Sequence, residues 1–178
     1  MKLIGFLLLS LTMGVAQAQQ APSADAPPAS NGMAAVTDNG PADAVREIRK
    51  VAADYNAAMA RKDSSALLDF YFDGNVPVIG SVAPASYALM FSASKGKAPK
   101  VFSSPAKQAV QGDTNPKATV EKVSNLSVQT DGAIATVQYD YAIPQGHGHT
   151  FWTLVHTTDA WKITSIVYSI NLASLDKK

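Results

Sequence analysis

The last third of the chain alternates between apolar and polar positions. Between Ala133 and Pro144, residues Ala135, Val137, Tyr139, Tyr141 and Ile143 share one parity, and Thr136, Gln138 and Asp140 take the other. That period of two marks a strand buried on one face. Flanking runs, Ala118–Thr130, His149–Thr158 and Trp161–Leu172, read as three more strands. Asp131-Gly132 is a tight hairpin turn, Gln145 to Gly148 turns the next hairpin, and Asp159-Ala160 the last. In the final run, Lys162, Thr164, Ile166, Tyr168 and Ile170 share one face, and Trp161, Ile163, Ser165, Val167 and Ser169 share the other. Neither face is strongly polar, so this strand is expected to be covered on both sides.

The period changes upstream. Val45, Ile48, Ala52, Tyr55 and Met59 recur at steps of three and four, which predicts a helix over Asp43–Lys62 with one apolar stripe. Asp43 is its expected N-cap, and Arg61 and Lys62 suit the negative end of its dipole. Asp63 caps a shorter helix, Ser64–Tyr71, which Asp73-Gly74-Asn75 stops. Val76–Val82 is a short β-rich run whose Pro77 points to an edge or a strand start. Tyr87 to Phe91 is apolar without a decisive period, and Lys95-Gly96-Lys97 is a turn. Ser104-Pro105 before Ala106–Gln111, with Gly112 behind, predicts a short capped helix. Lys95, Lys97, Lys100 and Lys107 form a basic cluster, read either as a solvated loop face or as the rim of an anionic-ligand site.

Composition sets the compartment. Lys2 followed by the apolar run Leu3–Val15 and by Ala16-Gln17-Ala18 has the three parts of an export signal, with cleavage near Ala18. The run is too short for a comfortable membrane span. Residues 1–18 are thus expected to be removed. Residues 19–40, rich in Ala and Pro, form a disordered tether, and 41–178 the folded domain of a periplasmic or secreted protein. The 178 residues carry a formal charge of +1, which argues against a nucleic-acid partner. Without cysteine there is no disulfide framework and no thiolate nucleophile.

The order helix, short helix, strand, irregular middle and long meander resembles the nuclear transport factor 2-like superfamily, which includes SnoaL-like and ketosteroid-isomerase-like proteins. The pieces that carry the resemblance are Tyr55-Asn56-Ala57-Ala58-Met59-Ala60-Arg61-Lys62-Asp63 through Phe70-Tyr71, and the closing Gly148–Asn171 with its Trp161-Lys162-Ile163 step. The resemblance spans Pro41 to Leu172. It implies an α+β fold in which a cone-shaped, curved antiparallel sheet wraps around N-terminal helices and leaves an apolar cavity. It also implies a homodimer through the outer face of the sheet. In the isomerase branch Tyr55 matches the tyrosine that donates to an enolate oxygen. The general-base position falls on Ile79, which accepts no proton, and the second donor near Trp152 or Thr153, neither a carboxylate.

Candidate chemistry follows from that cone. Tyr55, Tyr71, Trp152 and Tyr168 are the aromatic residues expected to line a site for a small apolar ligand, with packing as their other role. Asp140 is the one acid inside a patterned strand, a surface charge if its face meets solvent and an acid/base group if it turns into the cone. His147, His149 and His156 are the three histidines. Alternation sets His156 opposite His149, so no three-histidine metal site and no cofactor is expected. Three function classes remain: a non-catalytic domain binding a small ligand or a protein, a SnoaL-like enzyme of proton transfer or hydrolysis, and a structural or assembly role with the outer face of the sheet as a dimer surface and the Gln19–Gly40 tether giving reach. The enzyme would use Tyr55 with Asp140 or His156.

Overall fold

The structure is a computed structural model that describes residues 37–173. The expected export signal and all but the last four residues of the expected tether lie outside the described residues. Two of those four, Asp38 and Asn39, are tied to the fold. Asp38 takes a forked pair of hydrogen bonds from Arg49 at 2.7 and 2.9 Å and a third from the Val128 amide, and Asn39 bridges to Gln129.

Helix α1, Ala42–Arg61, buries Ile48, Ala52, Tyr55 and Ala58 along the stripe its spacing predicts. Pro41, not Asp43, occupies the N-cap; Asp43 sits in the first turn and pairs with Arg46 on the surface. Lys62 ends the helix in the left-handed conformation (φ 58°), where its amide closes on Met59 and the next amide on Ala58. The chain then turns straight into α2, Ser64–Asp69, whose first turn Asp63 caps by accepting from the Ala66 amide at 3.0 Å.

Strand β1, Pro77–Val82, leads to α3, Pro84–Ala93, β2, Val101–Pro105, and α4, Ala106–Asp113. The middle of the chain is therefore ordered. The expected helix begins at Ala106, but Ser104 lies within β2 and Pro105 both ends that strand and takes the N-cap, while α4 runs through Gly112 to Asp113. Strands β3, Lys122–Thr130, β4, Ile134–Ile143, β5, Gly146–His156, and β6, Trp161–Leu172, complete one curved, unclosed six-stranded sheet in the order β2-β1-β6-β5-β4-β3. All neighbours are antiparallel except β1 and β6, which run parallel. Pro77 thus marks a strand start and not an edge; it begins a strand flanked on both sides.

Two details of the meander depart from alternation. The β4–β5 turn is only Pro144-Gln145, because Ile143 already pairs with Gly146. Gly146 and Gly148 are strand residues rather than turn residues. A side chain at Gly148 would collide with the Ser169 carbonyl and the Tyr141 ring, so glycine is kept for close approach and not for a bend. In β6 the register jumps: Thr153 faces Ser165 while Leu154 faces Ile163. The extra residue is a bulge. It inverts the parity of β6, so Trp161 and Ile163 share the buried face with Ile166, and Ser165 and Val167 turn outward. The two faces expected from strict alternation are therefore each split halfway along the strand. Thr153 holds the bulge by hydroxyl bonds to Thr164 and Ser165 at 2.8 and 2.7 Å.

The core lies between α1, α2, α4 and the inner face of β4, β5 and β6, with Ile48, Leu67, Val110, Val137, Trp152 and Ile163 fully buried. Each such side chain contributes roughly 2–3 kcal/mol by leaving water, and these contacts fix the walls above which the cavity opens.

Candidate functional site

Above this core the cone stays open. A cavity of about 340 Å³ is bounded by α1, α4, the segment before β3 and the inner faces of β4 and β6. Five of the chain's six tyrosines line it: Tyr55, Tyr71, Tyr139, Tyr141 and Tyr168. Val120, Ile143, Ile166 and Ile170 add aliphatic wall, and Asp113 and Glu121 add two carboxyls.

Sequence and local structure explain each placement. Tyr55 comes from the buried stripe of α1, and its hydroxyl lies 2.9 Å from that of Tyr71, where the chain leaves α2. Tyr71 is held by bridging to Ile163 of β6. Tyr139 and Tyr141 are consecutive inward positions of β4, and Tyr141 donates to the Ser169 carbonyl at 2.8 Å. Tyr168 rests over Gly80, where an added Cβ would come within 2.6 Å of its Cζ. Asp113 ends α4, and Glu121 immediately precedes β3. Lys62 braces the segment between them, donating its ammonium to the carbonyls of Asp113 and Ala118, both at 2.9 Å.

The cavity is low in dielectric and acidic. Burial pushes the Glu121 carboxyl up to about 7, and the nearby Asp113 charge adds to the rise. Burial also raises Asp113, with the Lys62 charge pulling the other way. Burial holds Tyr55 well above the ordinary phenol range, and lifts Tyr71 to about 12 although the bond from Tyr55 opposes this. Burial raises Tyr139, Tyr141 and Tyr168 as well, so all five phenols keep their protons at neutral pH and are able to donate hydrogen bonds, while Glu121 is poised between its two forms. Among the described residues no hydrogen bond or ion pair engages the side chain of Asp113 or Glu121.

The residues expected from sequence divide. Tyr55, Tyr71 and Tyr168 line the cavity. Trp152 does not. It is fully buried beneath the cavity, edge-on to Tyr55 and Tyr139 at centroid distances of 4.8 and 5.6 Å, because its inward position falls at the middle of the central strand β5. Asp140 turns to the outer face, where Asn125 (2.7 Å) and His149 (3.0 Å) hold it, and those bonds keep its carboxyl below the usual carboxylate range. His156 shares the parity of Trp152 but lies past the end of the core, exposed and stacked on Trp161 at 4.7 Å. Neither can act on a molecule in the cavity beside Tyr55. Ile79 pairs with Val167 on the outer face, and Val78 is its inward neighbour, so neither reading of that register supplies a base.

Sequence reasoning missed Asp113 and Glu121. Glu121 is one of only two glutamates in the chain, which was the one available signal. Its inward direction depends on the turn from α4 into β3, which no periodicity reports. Two larger hollows lie elsewhere. One of about 540 Å³ follows Thr136, Thr153 and Thr164, and one of about 470 Å³ surrounds Asp140 and His149. Both are shallow outer-face grooves, and neither holds a carboxyl raised by burial.

No protein-family model matches the chain, and no curated protein matches it. Solved structures do. A nuclear transport factor 2-like protein of unknown function from Silicibacter pomeroyi is 19% identical, with a TM-score of 0.55 over 72% of this chain and 97% of that one. A nuclear transport factor 2-like protein of unknown function from Pseudomonas putida is 12% identical, with a TM-score of 0.54 over 76% and 92%. A cystatin-like fold protein from Burkholderia xenovorans is 15% identical, with a TM-score of 0.52 over 74% and 94%. At these identities the likeness is one of backbone architecture, and it agrees with the strand order and helix placement described above. The chain is an α+β protein with the nuclear transport factor 2-like fold, a curved, unclosed sheet packed against its helices.

Proposed function

We propose that this domain binds a small amphipathic molecule in the cone cavity. The observation that carries the reading is the composition of one open-mouthed cavity: about 340 Å³, aliphatic on several sides, with phenol and carboxyl groups converging on it. The ligand's apolar body packs against Val120, Ile143, Ile166 and Ile170, and its polar end meets the Tyr55–Tyr71 hydroxyl pair and the two acids. Thermal shift with a library of small aromatic and aliphatic compounds tests this, since a ligand of the native state stabilises it by mass action. Hits lost in Ala109→Trp, which fills the cavity from α4, support the reading. Hits that survive that substitution, or no hits at all, refute it.

A second reading is favoured by Glu121. A desolvated carboxyl titrating at about 7 beside protonated phenols suits proton abstraction next to a carbonyl, with Tyr55 and Tyr71 donating to the enolate oxygen. Glu121 replaces Asp140 and His156 as the base of that scheme. Exchange of α-protons of a cyclic ketone into deuterated water, followed by NMR, tests it; exchange no faster in the native protein than in Glu121→Gln refutes it.

Export and self-association belong to the same proposal. The N-terminal signal supports a periplasmic or secreted location, read out by N-terminal sequencing of the mature protein, with Gln19 the expected first residue. The outer face of the sheet carries a contiguous Ile79–Val167–Phe151 row, which supports a homodimer there. Light scattering of Phe151→Glu against the unaltered chain measures it; an unaltered chain that is monomeric at micromolar concentration rules it out.

A further inference from the structure

We infer that the ligand of this cavity is an organic cation, an amine or quaternary ammonium bearing a small apolar body. Its charge is caged by the tyrosine rings and answered by Asp113 and Glu121. This rests on the binding reading above and names the ligand class.

Three observations converge. The first is charge. Two carboxyls line the space, and among the described residues no Lys, Arg or His does. Lys62 spends its ammonium on the backbone carbonyls of Asp113 and Ala118, both at 2.9 Å, and its charge only partly offsets the burial of the Asp113 carboxyl. An anionic ligand would meet two like charges in a poorly solvated space. A neutral one brings at most a hydrogen-bond donor to the two acids, and leaves them no opposite charge beyond the partial offset that Lys62 gives Asp113. Only a cation answers both. The second is the wall. Five tyrosines surround a volume of about 340 Å³, and electron-rich ring faces attract a cation that has shed its water. The third is arrangement. Asp113 is electrostatically close to Tyr55, Tyr71 and Tyr168, and Glu121 to Tyr139, Tyr141 and Tyr168. Tyr168 is close to both acids, and Glu121 also feels the Asp113 charge, so the two acids border one cleft. The phenol hydroxyls keep their protons, so they also accept an ammonium N–H through their oxygen lone pairs.

The test compares charge at constant shape. Phenyltrimethylammonium and tert-butylbenzene share one outline and differ by a unit charge; benzoate carries the opposite sign. Each is titrated into the full chain, with binding followed by tyrosine fluorescence and by calorimetry. The expected result is that phenyltrimethylammonium binds about tenfold more tightly than tert-butylbenzene, with benzoate weaker than both. Glu121→Gln should bring the first two to within about threefold of each other while leaving tert-butylbenzene unchanged. Asp113→Asn serves as an independent variant should Glu121→Gln fail to fold by circular dichroism. If tert-butylbenzene binds as tightly as the cation and Ala109→Trp abolishes both, the cation inference falls and the binding reading stands. If none of the three probes binds the unaltered chain, both fall.

Discussion

Replacing Glu121 by Gln should stabilise the protein at pH 8. The native carboxyl is raised from 4.5 to about 7 because the cavity wall strips its water and Asp113 repels it. In the unfolded chain it titrates near its ordinary value. Between pH 4.5 and 7 the native state therefore holds a proton that the unfolded state has lost, and stability falls as pH rises through that window. Above pH 7 the full cost remains, about 3 kcal/mol from this group. A neutral amide of the same shape removes that cost and adds the smaller one of desolvating the amide, roughly 1 kcal/mol. The expected net gain at pH 8 is about 2 kcal/mol, or a rise in Tm of several degrees. At pH 5, where the native carboxyl is already neutral, the two proteins should agree within about 1 kcal/mol. Urea denaturation at both pH values measures this. The difference between the proteins cancels the contributions of Asp38, Asp140 and Asp131, which are depressed and slope the other way. A variant no more stable than the parent at pH 8, with the parent's pH slope intact, would show that Glu121 does not face a desolvated cavity.

Three further outcomes follow from the same geometry. Tyr55→Phe removes one member of the 2.9 Å hydroxyl pair and should cost about 1 kcal/mol in urea denaturation, while weakening any cavity ligand that carries an oxygen or an N–H. Trp152→Ala should cost about 3–5 kcal/mol, since the ring is fully buried; Trp152→Phe should lower stability more than ligand affinity, because the side chain packs under the cavity and not in it. Asp38→Ala breaks a forked bond to Arg49 at a partly exposed site and should cost about 1 kcal/mol near neutral pH. Because Asp38 is depressed, that cost is fully present above pH 3.8 and disappears as the pH falls through the lower folded value, which acid titration of the two proteins checks.

Much of the architecture was legible because it rests on local rules. The stripe of α1 follows from spacing, the start of α2 from the short reach of the Asp63 carboxyl, and the inward face of β4 from alternation. Errors arose where packing overrode a local signal. Gly146 and Gly148 look like turn residues, yet they are strand positions emptied of side chains to admit Tyr141 and the β6 backbone. Pro77 suits an edge or a strand start equally by local rules, and packing between β2 and β6 selects the start. Helix α3 shows no usable period because it is apolar on exposed positions too, with Leu89 and Phe91 both on the surface.

The candidate site divides along the same line. Periodicity alone determined that Tyr55 belongs to a buried stripe and that Tyr139 and Tyr141 point the same way as Val137, since those relations hold within one helix or one strand. Tertiary structure alone decided that Trp152 sits under the cavity, that Asp140 is turned outward, and that the bulge at Thr164 carries Tyr168 inward. It also decided that Asp113 and Glu121, from a helix end and a loop, meet the tyrosines of four other segments. A residue's face is fixed by the repeat of its own element. Which faces enclose a common space depends on register shifts and turns, whose energies come from contacts between segments far apart in the chain.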